Sequence, residues 1–285
     1  MSQDRIAFIG AGNMATSLIG GLLATGRTPD SITAADPDPA QLTRVGELGI
    51  MTTQDNAKAV ADAAVVVLAV KPQVVRTVVA DLADRLNAAQ LLLSIAAGVP
   101  VGAITRWAGA PLGVVRCMPN TPALFGAGMA AMFANEYVTP QQRAYATGIA
   151  EAVGDVVWVD TEAEIDAVTA VSGSGPAYFF YLMEAMIAAG IDLGLDPETA
   201  RRLTLQTARG AALMAIQSDA TPAQLRRNVT SPGGTTEAAL NIFESNGLAA
   251  TIRDALVAAA RRSQELAVEL GSPQPAATTR RKKME

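Results

Sequence analysis

The sequence predicts an α/β protein in which a mostly parallel sheet domain is followed by an all-helical domain. Three observations support this. An apolar strand runs into a glycine-rich turn near residue 10, short apolar strands alternate with helical segments as far as residue 159, and only helical patterns follow Thr161. At 285 residues the chain is also long for one hydrophobic core. We therefore expect a domain over residues 1–160, a helical domain over residues 161–271 and a flexible tail over residues 272–285.

The first strand, Ile6–Ile9, ends in the pattern Gly-x-Gly-x-x-Ala over Gly10–Ala15, and an apolar helical pattern follows. Strand, turn and helix in this order are typical of a Rossmann-like dinucleotide-binding unit. Gly10 permits a tight turn, and Gly12 lacks a Cβ, so the backbone can approach a pyrophosphate held by free N–H groups at the helix start. The alternative is a small-residue turn without a ligand. The candidate cofactor contacts are Gly10, Ala11, Gly12, Asn13 and Met14.

The second predicted strand, Ile32–Ala35, ends at Asp36. This aspartate lies about 20 residues beyond the glycine turn, where a ribose-binding acid is expected. A carboxylate there would accept hydrogen bonds from the ribose 2′- and 3′-hydroxyls and would repel a 2′-phosphate, which favours NAD over NADP. Alternatively, Asp36–Pro39 is a turn and helix cap.

The clearest strand, Ala63–Val70, has the unbroken apolar run expected of a parallel strand that is covered on both faces. Ligands of open α/β sheets bind at the carboxyl ends of the strands, so Ala69, Val70, Lys71 and Pro72 should lie beside the cofactor. Lys71 then either contacts the phosphates or nicotinamide, or is an ordinary surface residue. The other elements of this domain are predicted as helices over residues 41–48, 74–86, 101–107 and from Thr139–Pro140 onward, and as strands over residues 50–52, 91–95, 113–117, 129–134 and 156–159.

A rigid polar loop, Arg116–Pro122, follows one of these strands. Two prolines fix its backbone, and Asn120 offers both a donor and an acceptor near the place where a nicotinamide amide would lie. Structural use of Asn120 as a turn residue is the alternative.

Several residue types are rare or absent, and this excludes whole classes of chemistry. The chain has no histidine, and its only lysines are Lys58, Lys71, Lys282 and Lys283, so histidine catalysis and His-ligated metal sites are excluded, and we assign no metal. The net charge of −5 disfavours nucleic-acid binding. The single cysteine, Cys117, allows no intrachain disulfide and suits a reducing cytoplasm. We expect no signal peptide and no membrane span, because no apolar run approaches roughly 18 residues.

The second half should be helical throughout. Thr161–Glu164 fits a capping box, and the helix that it starts should stop at Ser172–Gly175. The next helix, over Ala177–Ile187, is apolar nearly all the way round and must be covered on several sides. About 115 residues can hardly enclose it, so we predict an intimate homodimer with interleaved helices. Further helices are predicted from Asp196–Pro197 to Gln217, from the capping box Thr221–Gln224, and over Leu248–Leu270.

A second glycine-rich turn lies between two of these helices and comprises Ser231, Pro232, Gly233, Gly234, Thr235 and Thr236. Paired glycines followed by hydroxyl residues at a helix start form a concave array of backbone N–H donors, which suits a small anion such as a carboxylate. The alternative is a plain helix-to-helix turn in which Thr235 or Thr236 is the N-cap.

Six segments together carry a more specific signal. They are Gly10–Ala15, Ala69–Pro72, Ala96–Val99, Arg116–Pro122, Val171–Tyr178 and Ser231–Thr236. In order and spacing, from residue 5 to residue 270, the chain resembles the pyrroline-5-carboxylate reductase family. The resemblance implies reduction of 1-pyrroline-5-carboxylate to L-proline by NAD(P)H, and a helical domain that dimerises, often within a larger ring of dimers.

The resemblance also implies roles for single residues. Ser231–Gly234, with Thr235 beside it, matches the segment that holds the substrate carboxylate, and Thr236 matches the threonine that hydrogen-bonds the ring nitrogen. Thr236 is therefore the candidate catalytic residue. Family members often carry small polar residues where Asp36 stands and prefer NADPH, so the sequence leaves NADPH or NADH open. The remaining matches to cofactor contacts are Asn56, Ala69–Pro72, Ala96, Ala97, Gly98 and, beside the nicotinamide, Asn120.

The chemistry fits these residues, because a protonated cyclic imine accepts hydride without a strong protein acid. Three other functions are weighed against this one. A β-hydroxyacid dehydrogenase would use a lysine on the helical side, where this chain has none before Lys282. An imine reductase for uncharged substrates would not need the second glycine turn. A non-catalytic dinucleotide sensor would not need two anion-binding turns.

Overall fold

The computed structural model describes residues 4–272, which form one eight-stranded sheet and twelve α-helices. Apart from Ser272, the predicted tail lies outside the described residues. The strands are β1 (Arg5–Ile9), β2 (Ile32–Ala35), β3 (Met51–Thr53), β4 (Ala63–Leu68), β5 (Leu91–Ser94), β6 (Gly113–Met118), β7 (Gly128–Ala134) and β8 (Gly154–Trp158). The helices are α1 (Asn13–Ala24), α2 (Pro39–Gly46), α3 (Asn56–Val60), α4 (Pro72–Leu82), α5 (Val101–Ala108), α6 (Pro140–Glu151), α7 (Glu164–Val168), α8 (Gly175–Asp192), α9 (Pro197–Gln217), α10 (Pro222–Asn228), α11 (Thr235–Ser245) and α12 (Leu248–Gly271).

The strand order across the sheet is β3-β2-β1-β4-β5-β6-β7-β8. All neighbours are parallel except β6 and β7, which pair antiparallel, and the predicted α/β class with a mostly parallel sheet is confirmed. The chain order reverses between β1 and β4, and such a switch point leaves a crevice at the carboxyl ends of the strands. The sheet therefore places its ligand crevice where β1 ends.

Side chains of the strands alternate between two hydrophobic cores, one on each face of the sheet. Ile6 and Phe8 pack into the core that includes α1 and α6, whereas Ala7 and Ile9 pack into the core that includes α4 and α5. Strand β4 is buried on both faces in the same way, which confirms the interpretation of its unbroken apolar run.

The strand predicted over Ala63–Val70 ends at Leu68, and the helix predicted from residue 74 begins at Pro72. Proline is favoured at the first position of a helix, because its fixed φ is helical and its missing N–H would be unpaired there anyway. Lys71 is the N-cap of α4. The turn was therefore predicted two residues too late, because the strand ends and the helix begins two residues earlier than expected.

The capping box expected at Thr161–Glu164 is only half formed. The Glu164 carboxylate accepts hydrogen bonds from the backbone N–H and the hydroxyl of Thr161 and from the Asp160 N–H, and these bonds lower the pKa of Glu164. The Thr161 hydroxyl thus donates to the acid instead of accepting from the helix, and Ala163 is the N-cap of α7. A π-helical segment, Thr169–Gly173, continues α7 to the predicted stop.

The chain divides into two compact units. Among the described residues, one unit comprises residues 4–173 together with residues 260–272, and the other is Ser174–Ala259. The division at residues 160 and 161 stays a prediction. Helix α7 contacts β7, and the end of α12 is joined to α7 by the 2.7 Å hydrogen bond from the Ser263 hydroxyl to the buried Asp166 carboxylate.

Helix α8 has the all-round apolar surface that the sequence indicates, and in the single chain this surface is open. Phe179, Phe180 and Tyr181 are 64%, 61% and 75% exposed. Helix α9 begins at Pro197 and is capped by Asp196, which accepts the Thr199 N–H at 3.1 Å, as predicted. None of the helices within residues 4–272 has both the length and the apolar character needed to cross a membrane.

Candidate active site

The strand register brings three predicted cofactor segments to one edge of the sheet. Ile9, the last residue of β1, is paired with Ala35 on one side and with Leu68 on the other. The next residues of the three strands are Gly10, Asp36 and Ala69. The Gly10 N–H donates to the Ala35 carbonyl at 2.7 Å, and the Ala69 N–H donates to the Ile9 carbonyl at 2.8 Å. The structure therefore brings these predicted residues together.

Gly10 and Gly12 have the two different properties expected of a pyrophosphate-binding turn. Gly10 has a φ of +101°, and a Cβ on it would lie 2.6 Å from the Ala69 carbonyl oxygen. Gly12 is the N-cap of α1, and a Cβ on it would meet no atom within 4 Å. The space in front of the helix start is thus open, and the first N–H groups of α1 have no partner within the helix. An anionic group of a dinucleotide fits there.

Asp36 lies at the glycine turn and also shapes it. Its Oδ2 accepts the Ala11 N–H at 2.8 Å, and its Oδ1 accepts the Asp38 N–H at 2.9 Å. The helix cap that the sequence offered as an alternative belongs to Asp38, which accepts the Ala40 N–H at 2.9 Å. Contact of Asp36 with a ribose stays a prediction, and its position at the turn is compatible with it.

Arg44 on α2 also contacts the turn, and the sequence reasoning missed it. Its Nη1 donates to the Asn13 Oδ1 at 2.9 Å, and its Nη2 donates to the Ala11 carbonyl at 3.1 Å and to the Gln41 Oε1 at 2.7 Å. A cation beside this turn favours a bound phosphate. The sequence placed Arg44 on a helix, but no spacing rule links that helix to the turn.

Lys71 and Asn56 lie at helix starts near the same end of the sheet. Lys71 is exposed, and its amine has no hydrogen-bond or ion-pair partner within residues 4–272, so it is free to reach a ligand. Asn56 is the first residue of α3, which is capped by Asp55 and packs beside β1 and β2. Their roles in cofactor binding stay predictions.

The Ala96–Gly98 segment follows β5 and is held in place by the end of α12. Gly98 has a φ of +73°, and a Cβ there would lie 3.2 Å from Leu270 and 3.3 Å from Leu266. Ala97 is exposed, whereas Ala96 is buried. This packing explains why a glycine stands at position 98 whether or not the segment contacts a cofactor.

An ion pair between Arg116 and Glu162 supports the residues that follow this segment. Arg116 Nη1 lies 3.0 Å from Glu162 Oε1, and the same oxygen accepts the Val101 N–H at the start of α5 at 2.9 Å. The Arg116 side chain is only 4% exposed. Glu162 therefore connects β6 to the start of α5, a long-range contact that the sequence alone does not indicate.

The side chain of Asn120 forms hydrogen bonds to other residues of the protein. Its Oδ1 accepts the Met129 N–H at 2.9 Å, and its Nδ2 donates to the Ser172 hydroxyl at 3.2 Å. Its Nδ2 also donates to the Ser172 carbonyl at 3.3 Å. The side chain therefore has a structural use, but its partners lie outside the turn that the alternative named. The place of Asn120 beside a nicotinamide stays a prediction.

Cys117 is unsuited to acid or nucleophilic chemistry. It is buried on β6, and burial raises the pKa of its thiol to about 12. A neutral, enclosed thiol neither attacks a substrate nor donates a proton near neutral pH.

The second glycine turn stands at the start of α11, in the helical unit. Gly233 has a φ of +71°, and the Gly234 N–H donates to the Ser231 carbonyl at 3.0 Å. Gly234 is the N-cap, so the alternative in which Thr235 or Thr236 caps the helix is wrong. An extended glycine leaves the N-cap position without a side chain, which keeps the helix start open.

Thr236 is half-buried in the first turn of α11, and its hydroxyl has no hydrogen-bond partner within residues 4–272. Another side chain does contact the turn: the Glu237 carboxylate accepts the Gly233 N–H at 2.7 Å. The sequence reasoning assigned no role to Glu237. The pattern that could have found it is an acidic residue three positions after the N-cap, where side chains commonly return to the backbone before the helix.

A parallel sheet with a glycine turn at its switch point defines a protein of the dinucleotide-binding, Rossmann-like class, here joined to a helical unit. Residues 5–98 match the family model described as NADP oxidoreductase, coenzyme F420-dependent, and residues 162–266 match the one described as pyrroline-5-carboxylate reductase dimerisation. The chain is 57% identical over 272 residues to pyrroline-5-carboxylate reductase of Pseudomonas aeruginosa, covering 95% of this chain and 100% of that protein.

Two solved structures have the same fold along nearly the whole chain. Pyrroline-5-carboxylate reductase of Coxiella burnetii is 44% identical with a TM-score of 0.89, covering 92% of this chain and 98% of that one. The enzyme of Plasmodium falciparum, described with NADP bound, is 29% identical with a TM-score of 0.84, covering 94% and 99%. The chain belongs to the pyrroline-5-carboxylate reductase family.

Proposed function

We propose that this protein reduces 1-pyrroline-5-carboxylate to L-proline with hydride from NAD(P)H, the last step of proline biosynthesis. The observation that carries the proposal is the open start of α11, where the Ser231–Gly234 turn is followed by the free hydroxyl of Thr236. Membership of the family and the names of its relatives support it. The helical unit thus offers donors for a small acid, and the sheet unit offers a dinucleotide site.

The sheet unit fits a dinucleotide. The open space at Gly12 and the free N–H groups that start α1 would hold the pyrophosphate, with Arg44 and Lys71 supplying positive charge nearby. The bound cofactor supplies the hydride. Gly10 and Ala69 fix the turn through backbone geometry and Asp36 through its carboxylate, so the chain contributes position rather than acid or base at this end.

The helical unit would hold the substrate. Backbone N–H groups of the Ser231–Gly234 turn bind its carboxylate, and the Thr236 hydroxyl makes a hydrogen bond at the ring nitrogen. Hydride adds to the imine carbon, the C=N π electrons move to nitrogen, and the proton already on the iminium nitrogen stays there. Thr236 orients the ring and is too weak an acid to protonate it. Positioning of this kind can supply roughly 7–11 kcal/mol of the barrier.

The position of Asp36 supports NADH as an effective donor, because a carboxylate at the turn would repel the 2′-phosphate of NADPH. We expect kcat/KM for NADH to lie within about a hundredfold of that for NADPH, and Asp36→Ser to shift the ratio toward NADPH. Steady-state kinetics with both donors measure this. A wild-type preference for NADPH above about a hundredfold, or an unchanged ratio in Asp36→Ser, would show that Asp36 does not select the donor.

We also propose that the protein acts as a homodimer in the cytoplasm. The exposed aromatic residues of α8 support the dimer, since a second copy would cover them. A ring of dimers stays a prediction from the family resemblance. The single buried cysteine suits a reducing compartment.

The proposed reaction is tested by following NADPH or NADH absorbance with 1-pyrroline-5-carboxylate and, as a control, with a 2-keto acid. We expect oxidation of the nucleotide with the imine only. Oxidation with the keto acid would indicate a hydroxyacid dehydrogenase. Nucleotide binding without oxidation by either compound would favour a non-catalytic sensor.

A further inference from the structure

Glu237 places a carboxylate of the protein on the second glycine turn. It is the third residue of α11, and its Oε2 accepts the Gly233 N–H at 2.7 Å. Gly233 is one of the backbone donors that the proposed function assigns to the substrate carboxylate. The Gly233 N–H of the proposed substrate site is therefore already bonded to a carboxylate, the same group that the substrate would present.

This contact differs from an ordinary capping box. In a capping box the acid returns to the N–H of the N-cap residue itself. Here the N-cap is Gly234, whose N–H donates to the Ser231 carbonyl at 3.0 Å. Gly233 precedes the N-cap and has a left-handed conformation, with φ of +71°. Glu237 accepts the N–H of Gly233 instead of the N–H of the N-cap. Glu237 thus accepts the Gly233 N–H, which is not bonded to the Ser231 carbonyl.

The charge of Glu237 is not balanced by a nearby cation. Among the described residues Glu237 forms no ion pair, and the Glu244 carboxylate, two turns further along α11, is the one that lies 3.7 Å from Arg226. A substrate carboxylate entering the turn would meet an unpaired like charge, which disfavours its binding. The substrate must also replace the hydrogen bond that Glu237 makes.

We propose that Glu237 is an internal competitor for the substrate-carboxylate site, which weakens the binding of the acidic substrate and of the acidic product alike. The proposal rests on the proposed function, because the latter identifies Gly233 as a substrate contact. Binding of the carboxylate displaces the Glu237 side chain, and its return to Gly233 promotes product release. Glu237 therefore lowers the affinity for the carboxylate of the ligand and does not change the binding of the uncharged parts of the ligand.

The test compares Glu237→Gln with the wild type and with Glu244→Gln, which removes a charge from the same helix away from the turn. Calorimetry with cyclopentanecarboxylate and with its neutral amide, at saturating NADP⁺, measures ligand affinity without turnover. The KM for 1-pyrroline-5-carboxylate is measured in parallel. We expect Glu237→Gln to lower Kd for the acid and the KM by roughly three- to tenfold, and to leave Kd for the amide unchanged. Glu244→Gln should behave as the wild type.

Unchanged or weaker acid binding by Glu237→Gln, or an equal gain for the amide, would overturn the competitor role. An equal gain in Glu244→Gln would also overturn it, because the effect would then be one of general charge. A wild type that binds the acid but does not oxidise NADPH or NADH with 1-pyrroline-5-carboxylate would instead contradict the proposed function, and the calorimetric comparison would still decide the role of Glu237.

Discussion

Gly10 and Gly12 are two residues apart and resist substitution for different reasons. A Cβ on Gly10 would clash with the Ala69 carbonyl and require an unfavourable positive φ, whereas a Cβ on Gly12 would meet open space. We expect Gly12→Ala to melt at the wild-type temperature but to bind NADPH at least tenfold more weakly, because its methyl group occupies pyrophosphate space. Gly10→Ala should lose thermal stability as well. Scanning fluorimetry and nucleotide titration measure both, and wild-type affinity in Gly12→Ala would place the cofactor elsewhere.

Thr236 lies in the first turn of α11, its hydroxyl has no hydrogen-bond partner among residues 4–272, and the proposed reaction assigns this hydroxyl to the ring nitrogen. We expect Thr236→Ala to lower kcat/KM for 1-pyrroline-5-carboxylate by roughly 10- to 150-fold, corresponding to the loss of about 1.5–3 kcal/mol for a hydrogen bond to a charged group. Thr236→Ser, which keeps the hydroxyl, should retain most of the activity. Unaltered kinetics in Thr236→Ala would remove this residue from the mechanism.

At the residue scale, sequence reasoning was most reliable where a residue's role follows from backbone geometry. It identified Gly10 as the residue that permits a tight turn, and Gly10 has a φ of +101°. It also identified Gly12 as a position where a missing Cβ leaves room, and a Cβ there would meet no described atom within 4 Å. It could not decide the partners of polar side chains. Asn120 bonds to Met129 and Ser172, which are distant in sequence, and no local pattern encodes such contacts.

At the element scale, the Arg116–Glu162 pair joins β6 to the start of α5. The Arg116 side chain is buried, and its Nη2 already lacks a hydrogen-bond partner in the part of the chain that the structure describes. Glu162→Ala would leave this charge unpaired, so we expect a loss of about 3 kcal/mol in the free energy of unfolding. The midpoint of urea unfolding measures the loss. Glu198→Ala, which breaks the exposed pair with Arg201, should leave the midpoint nearly unchanged, and equal effects of the two substitutions would contradict this account.

Helices and strands were predicted correctly where the hydrophobic pattern and the residues that start or end an element indicate the same bounds. Strand β2 has the predicted bounds, because a β-branched start and a following Asp-Pro turn delimit it on both sides. The end of α7 was harder. Its continuation as a π-helical segment, Thr169–Gly173, depends on packing with the sheet unit, and the methyl group of Met118 occupies the space beside Gly173. Local propensity does not contain that information.

At the scale of the whole molecule, the apolar surface of α8 requires a partner. We expect the wild type to sediment with at least twice the mass of one chain, and Tyr181→Glu to shift the equilibrium toward the monomer, because a charge would be buried in the interface. Phe125→Glu is the matched control, since Phe125 is 88% exposed but lies in the sheet unit. A wild type that remains monomeric at micromolar concentration, or equal dissociation by both variants, would contradict a dimer through α8.

Two glycine turns in different compact units define the chemistry that the molecule can perform. The first indicated a dinucleotide from sequence alone but was compatible with every oxidoreductase considered. The second turn made the prediction specific. The structure adds that no side chain stands at the N-cap of the helix that follows this turn, and that the turn already binds the Glu237 carboxylate. The sequence could not indicate the role of Arg44, since it depends on where α2 brings that side chain. Glu237 lies three positions after the N-cap, and this local pattern was overlooked.

The central claim is that hydride passes directly from the bound nucleotide to the imine carbon of the acidic substrate. The most direct test uses NADPH or NADH carrying deuterium at nicotinamide C4 and analyses the product by mass spectrometry and NMR. We predict L-proline with a single deuterium on its δ carbon, from one of the two C4-labelled epimers only. Unlabelled proline, or no proline while the nucleotide is oxidised, would contradict the claim.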